Sequence, residues 1–332
     1  MEKYSHRDRL EMIMAGERPD RFAASFWRHF FHMEHHAEGT AEAMVFFQKM
    51  FDWDFVKINP RADYHVEDWG FRQEWSHNEF NKHRKTHFPV TSVEDWDNIA
   101  RLEPTAAVLA EHLRVISLVR KGCGKEVPIL MTLFSPLAVA GRMVSDRQLL
   151  AGHLRQHPDR MESVLEVITD TYVGYTAEIR NAGADGLFFA TTQWASGDML
   201  TWEEYQRFGV PYDLRVIASA ESDALNLLHV CCSNNFLPQL AEIDYNCRLY
   251  NYDSNDETNL SLEQAGRLLS GRTLVGGVDG QDWLLKGTPD DVHRRIETFK
   301  AAHDAGRLII GPGCVVPPEV PLDNLRAVRE TL

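Results

Sequence analysis

The sequence predicts an α/β protein of the (β/α)8 class, a TIM barrel built from residues 1–332 as a single domain. Three observations predict it. Short β-rich runs alternate with amphipathic segments along the chain, which implies a parallel sheet with helical crossovers. Eight such units fit into 332 residues, the count of a closed barrel. No glycine-rich turn follows the first strand, as a doubly wound nucleotide-binding sheet would require. The GxG at Gly122-Cys123-Gly124 precedes a strand instead.

Taken in order, an N-terminal helical segment leads into FAASFW (22–27), the first strand, and a helix around 40–51 leads to the second, WDFVKIN (53–59). An apolar-periodic helix near 106–120 precedes VPILMTLFS (127–135), the third. The helical spacing of 158–182 stops at Asn181-Ala-Gly183, where glycine suits a C-cap, and DGLFFA (185–190) is the fourth strand. Thr201-Trp-Glu-Glu204 has the reciprocal capping pattern and opens a helix over 202–219. ALNLLHVC (224–231) is the fifth strand, followed by a helix near 235–242, and CRLYNYD (247–253) is the sixth. Ser261-Leu-Glu-Gln264 caps another helix before RTLVGGVD (272–279), the seventh. Thr288 followed by Pro289 starts a helix to about 304, RLIIGPGC (307–314) is the eighth strand, and PLDNLRAVRETL closes with a helix. Between strands two and three lies a long polar, aromatic and histidine-bearing excursion (60–90). It leaves a strand's C-terminal end, so it caps the barrel mouth or lies on the surface beside it.

Composition narrows the function. No run approaches the roughly 20 apolar residues that span a bilayer, and the charged N-terminus lacks the apolar stretch of a signal peptide, which predicts a cytoplasmic protein. A net charge of −14 argues against nucleic-acid and membrane partners. Five cysteines without dense spacing read as free thiols or metal ligands.

Strand periodicity sorts those cysteines. Side chains alternate faces, so in HVCC His229 and Cys231 share one face, whereas Val230 and Cys232 share the other. Cys123 and Cys247 fall at N-terminal strand ends, the stability face of a barrel, while Cys314 ends strand eight. His229, Cys231 and Cys314 are therefore the set able to meet at the C-terminal rim. One imidazole and two thiolates suit Zn2+ with a fourth position open, as in catalytic sites. Spacing alone leaves ordinary core thiols as the competing explanation.

LLHVC, GGVD and IIGPGCVVPPEVPLDNLRAVRE resemble the uroporphyrinogen decarboxylase superfamily, and within it the zinc-dependent, corrinoid-linked methyltransferases of the methylcobamide:coenzyme M type. HRDRLEMIMAGERPDRFAASFWRHF and AGADGLFFATTQWASGDMLTWEEYQRFGVPYDLRVI carry the resemblance over nearly the whole chain. It implies a (β/α)8 fold and zinc held by His229, Cys231 and Cys314. It also implies methyl transfer between a corrinoid (cobalamin) and a thiol or other small methyl donor or acceptor. No D-x-H-x-x-G pattern is present, so the corrinoid is expected on a partner protein. Two departures stand out. Cys232 follows Cys231 where the family commonly has glycine, and FWRHFFHMEHH keeps Arg28 but has His32 where decarboxylases carry a second arginine. Imidazoles supply little fixed positive charge for a polyanionic tetrapyrrole at neutral pH, which disfavours the decarboxylase-like carboxy-lyase alternative. A non-catalytic zinc-containing barrel that binds a corrinoid partner is the remaining alternative.

Further site candidates follow from topology. Asp253 and Asp279 end strands six and seven, where either is expected to orient His229 or to fill the open metal position, unless it caps a helix. Arg28 and His29 in the N-terminal segment, Asn59 after strand two and Trp194 after strand four are expected to contact substrate at the mouth. If helical, His29, His32 and His36 would share a face, although a second metal there lacks the usual companion carboxylate. Trp69 and Trp75 in the excursion are the aromatics expected to be exposed for contact.

Overall fold

The computed structural model describes residues 3–221 and 224–332. Ten strands are described: β1 (Ala23–Ala24), β2 (Val56–Ile58), β3 (Arg72–Glu74), β4 (Arg84–His87), β5 (Ile129–Phe134), β6 (Gly186–Ala190), β7 (Leu227–His229), β8 (Leu249–Asn251), β9 (Thr273–Val278) and β10 (Leu308–Pro312). Eight of them form one parallel sheet in the order β1-β10-β9-β8-β7-β6-β5-β2. With helices between successive strands this is the (β/α)8 barrel that the alternation predicts, the short β3–β4 hairpin standing apart from it.

The sheet closes between β1 and β2 without a regular ladder. The Asp54 N–H donates to Ala24 O (2.9 Å), the Ala24 N–H donates to Asp54 Oδ2 (2.8 Å), and the Ser25 hydroxyl donates to Phe55 O (2.7 Å). Asp54 is buried, and its carboxylate also receives Arg9 (2.7 Å), Arg21 (2.7 Å) and His6 (3.1 Å). Because Arg9 and His6 belong to helix His6–Ala15, one carboxylate ties the N-terminal helix to the closing seam.

The capping boxes at Thr201, Ser261 and Thr288 all form, and each opens a helix at the following residue. The strands are shorter than the apolar runs suggest, because a strand ends where its ladder partner does. The expected helix over 202–219 is two, Trp202–Phe208 and Val210–Ala218. Pro211 has no N–H to continue the first ladder, and Gly209 lies against the Tyr205 ring, which a Cβ would meet at 2.6 Å. Helix Arg147–Gln156 has no counterpart in the sequence reading.

The excursion after β2 folds over the N-terminal segment. Arg28 pairs with Glu79 (2.5 Å), and His35 donates to Ser76 O (2.7 Å). Buried Glu34 lies between His29 (3.0 Å) and His83 (3.2 Å). Among the described residues no helix is long and apolar enough to cross a membrane.

Candidate metal centre and cavity

β7 delivers His229 at its last residue, and the chain runs on to Cys231 through Val230, whose N–H donates to Asn251 O (2.9 Å). The period-two reading holds one residue pair beyond the strand: His229 and Cys231 line the cavity at the barrel mouth, while Val230 is buried elsewhere. Cys232 leaves the pattern, exposed and with φ +74°. Cys314 arrives two residues after β10 on a tight path, because a Cβ on Gly313 would sit 2.6 Å from Asp253 Cα. Only glycine lets the ends of β8 and β10 approach so closely.

The ligand atoms of His229, Cys231 and Cys314 lie within 4.8 Å of one another, and no other such group of histidine, cysteine or carboxylate residues occurs among the described residues. The Cys231 and Cys314 sulfurs are 3.8 Å apart. That matches the ~3.8 Å edge of a tetrahedron with metal–sulfur bonds of ~2.3 Å. Hydrogen bonding with Cys231, and then with His229, pulls the Cys314 thiol well below its ordinary range. A soft donor set at tetrahedral spacing fits a zinc ion.

The tautomer of His229 follows from its neighbours. The Asn251 amide nitrogen donates to Val275 O (2.7 Å) and Pro312 O (2.9 Å), so its oxygen must face His229 Nδ1, 2.6 Å away. An oxygen there requires Nδ1 to carry the proton. Nε2 is then unprotonated, the form in which imidazole ligates a metal.

Beside these three residues is a cavity of about 180 Å3 lined by side chains from the N-terminal segment, the excursion and several strand ends. Its walls follow period two: Thr132 and Phe134, Phe188 and Ala190, His229 and Cys231. Lys57 and Asn59 supply the β2 wall. Lys57 is 5% exposed, its ammonium hydrogen-bonds Asn59 Oδ1, and it lies 4.5 Å from the Phe188 ring centroid and 5.6 Å from that of Trp27. Burial pulls its pKa down to about 7, against the raising influence of Cys314 and Cys231. His65 is fixed and neutral: its Nδ1 donates to Ala62 O (3.0 Å), Nε2 accepts from the Phe134 N–H (3.0 Å), and burial lowers its pKa to about 3.

The other sequence candidates separate. Asn59 and His29 line the cavity. Arg28 is buried beneath Phe30 and paired with Glu79, away from the cavity. Trp194 is fully buried against Gly141, where a Cβ would meet its Nε1 at 2.2 Å, so its neighbours Thr192 and Gln193 line the mouth instead. Asp253 and Asp279 do not orient His229, since Asn251 holds its second ring nitrogen. Neither belongs to the metal-competent group. Asp253 accepts from the Asn255 N–H (3.0 Å), and Asp279 accepts from the Gln281 and Asp282 N–H groups (2.9 Å each), so both close local turns and neither is the N-cap of a helix. His29, His32 and His36 are not on one helix: the chain turns through 31–35, and His36 caps helix Ala37–Phe51. Trp75 is 38% exposed, whereas Trp69 is half-buried and donates to Ala100 O (2.7 Å). Lys57 and Asn251 are not among the residues the sequence points to. The signal for Lys57 is its period-two relation to Asn59, which the sequence places at the mouth.

Comparison with known proteins gives a consistent result. The family description "Uroporphyrinogen decarboxylase (URO-D)" matches residues 9–332. A methylcobamide:CoM methyltransferase of Methanosarcina acetivorans is 25% identical over 73% of this chain and 68% of its own length. A methylated-thiol–coenzyme M methyltransferase of Methanosarcina mazei is 26% identical over 71% of this chain, and the chain spans 61% of that relative's length. Among solved structures, a methyltransferase from Methanosarcina mazei superimposes with a TM-score of 0.83 at 19% identity, covering 99% of this chain and 98% of that one, and so shares its fold.

Proposed function

The chain belongs to the uroporphyrinogen decarboxylase family, and on that premise we propose that it is a zinc-dependent methyltransferase acting as a single barrel domain. It moves a methyl group between a corrinoid on a separate protein and a small thiol or other methyl donor or acceptor. The observation that carries this reading is the group His229, Cys231 and Cys314 at the mouth of a small cavity. Sequence relatives named as methylcobamide:CoM methyltransferases support it.

His229, Cys231 and Cys314 would hold the ion, which supplies an open position where a substrate sulfur is held as its thiolate or a methylated substrate is polarised. Asn251 keeps His229 in the ligating tautomer. Trp27, Phe134 and Phe188 line the cavity with apolar rings that exclude water from the reacting sulfur. The cavity measures about 180 Å3. It suits a small molecule.

Two measurements test the proposal. Purified protein is expected to carry about one equivalent of zinc, and Cys314→Ser less than about half. Methylcobalamin mixed with a panel of thiols is expected to lose its methyl group, followed by corrinoid absorbance. A wild-type protein without zinc, or one inactive with every thiol and with every methyl donor in reverse, would sink the reading.

A further inference from the structure

We propose that Lys57 and Asn59 form an anion-reading pair in the barrel cavity, so that the substrate held beside His229, Cys231 and Cys314 carries negative charge on the side it turns to them. The inference rests on the methyltransferase reading for its substrate and on the cavity wall for its chemistry.

The wall is rich in donors and poor in acceptors. A lysine ammonium has three N–H donors and no acceptor. Lys57 spends one on Asn59 Oδ1, and among the described residues no carboxylate pairs with it. The ammonium can only donate, so Asn59 must present its oxygen to it and turn its amide nitrogen away. That nitrogen is buried and has no hydrogen-bond partner among the described residues. Buried donors left unanswered are costly, and a cavity wall that retains them is built for an acceptor that arrives with the ligand.

The other cation on the cavity is already answered. Arg142 donates to Asp63 Oδ1 (2.9 Å), which Lys85 also reaches (3.0 Å). The Phe188 and Trp27 rings stabilise the Lys57 charge without neutralising it. Charge counting points the same way: two thiolates cancel a divalent ion, so a substrate thiolate would bring one uncompensated negative charge into the cavity. The anion has two possible sources, the substrate sulfur itself or a carboxylate or sulfonate on its tail.

The test uses the full chain loaded with cobalt(II), followed by the cobalt absorption band and by calorimetry, neither of which needs turnover. Probes are 2-mercaptoethanol, 3-mercaptopropionate, 2-mercaptoethanesulfonate and propionate, against wild type, Lys57→Met and Asn59→Asp. If a tail is read, Lys57→Met weakens the anionic thiols and propionate at least about tenfold and leaves 2-mercaptoethanol unchanged. If the sulfur is read, all three thiols weaken alike and propionate does not bind. Either result upholds the pair. Asn59→Asp places a carboxylate against Lys57 and is expected to cause the same losses, which keeps the test decisive should Lys57→Met fold poorly. Both variants binding every probe like wild type would overturn the proposal, as would a wild type that binds none. Wild type binding propionate but no thiol would leave the anion pair standing and remove the thiol from the proposed function.

Discussion

At the scale of single residues, Asn251 makes the clearest prediction. From β8 its three hydrogen bonds reach β7, β9 and β10 and fix the tautomer of His229. Asn251→Ala removes the partner of His229 Nδ1 and strands two buried carbonyls. Zinc affinity is expected to fall roughly 10- to 100-fold, measured by competition with a chelator. Asn251→Asp keeps an acceptor for the ring but loses both donors, so it should fall between. The strand-end carboxylates Asp253 and Asp279 are the expected partners of the ring, and Asn251 takes that place. A buried amide that answers two carbonyls while holding an imidazole has no local sequence mark. The grouping of His229 with Cys231 was legible, since alternation along one strand separates Cys231 from Cys232. Cys232 occupies the left-handed region at φ +74°, where a side chain costs about 1–2 kcal/mol, and glycine would relieve it.

Among the elements, the break at Gly209 sets up a buried carboxyl. Asp213, in helix Val210–Ala218, is fully buried and accepts from the Tyr205 hydroxyl (2.6 Å) and the Tyr245 hydroxyl (3.3 Å). Its other oxygen has no partner among the described residues. Burial, partly offset by the tyrosines, raises its pKa from 3.8 to about 7. The folded state therefore binds this proton more tightly than the unfolded one. The contribution is fully present below about pH 4 and is lost as pH rises through about 7. Asp213→Asn cannot titrate, so between pH 4 and pH 8 the stability difference should move in its favour by about 2–4 kcal/mol, read from urea unfolding. Helix starts were legible because Thr201, Ser261 and Thr288 cap through side chains only three residues apart. Strand ends were not, since they depend on partners 22 to 286 residues away: β7 stops at His229 because its ladder to β8 stops at Asn251.

For the molecule as a whole, the seam between β1 and β2 carries the strongest charge dependence. Asp54→Asn breaks a buried cluster with Arg9, Arg21 and His6, and is expected to cost about 3–5 kcal/mol in thermal or urea unfolding. Two opposite pH limits follow. Burial opposes ionisation of Asp54, but contact with His6 and Arg21 wins and lowers its pKa, so its contribution exists above the usual carboxylate range and is lost as pH falls. Burial likewise opposes protonation of His6, but Asp52 and Asp54 carry its pKa up to about 9. That contribution is complete below about pH 6.5 and disappears as pH rises through about 9. His6→Gln should flatten the alkaline limb of a plot of Tm against pH and weaken the acid limb only in part, since Arg21 and Arg9 still hold Asp54 ionised. Barrel closure was legible from eight alternating units. The means of closure was not, because nothing in the sequence marks Asp54 as the residue that replaces a ladder.

β1 contributes only two paired residues, and the chain that follows carries Trp27 and His29 into the cavity. Trp27 O also accepts the Val316 N–H (3.1 Å), just past Cys314. A local opening that frees this segment would loosen two cavity walls and one ligand's flank in a single event, with the rest of the sheet intact. If zinc binds there, that opening is its easiest way out, and amide hydrogen exchange at Ser25 and Val316 should slow together when zinc is added.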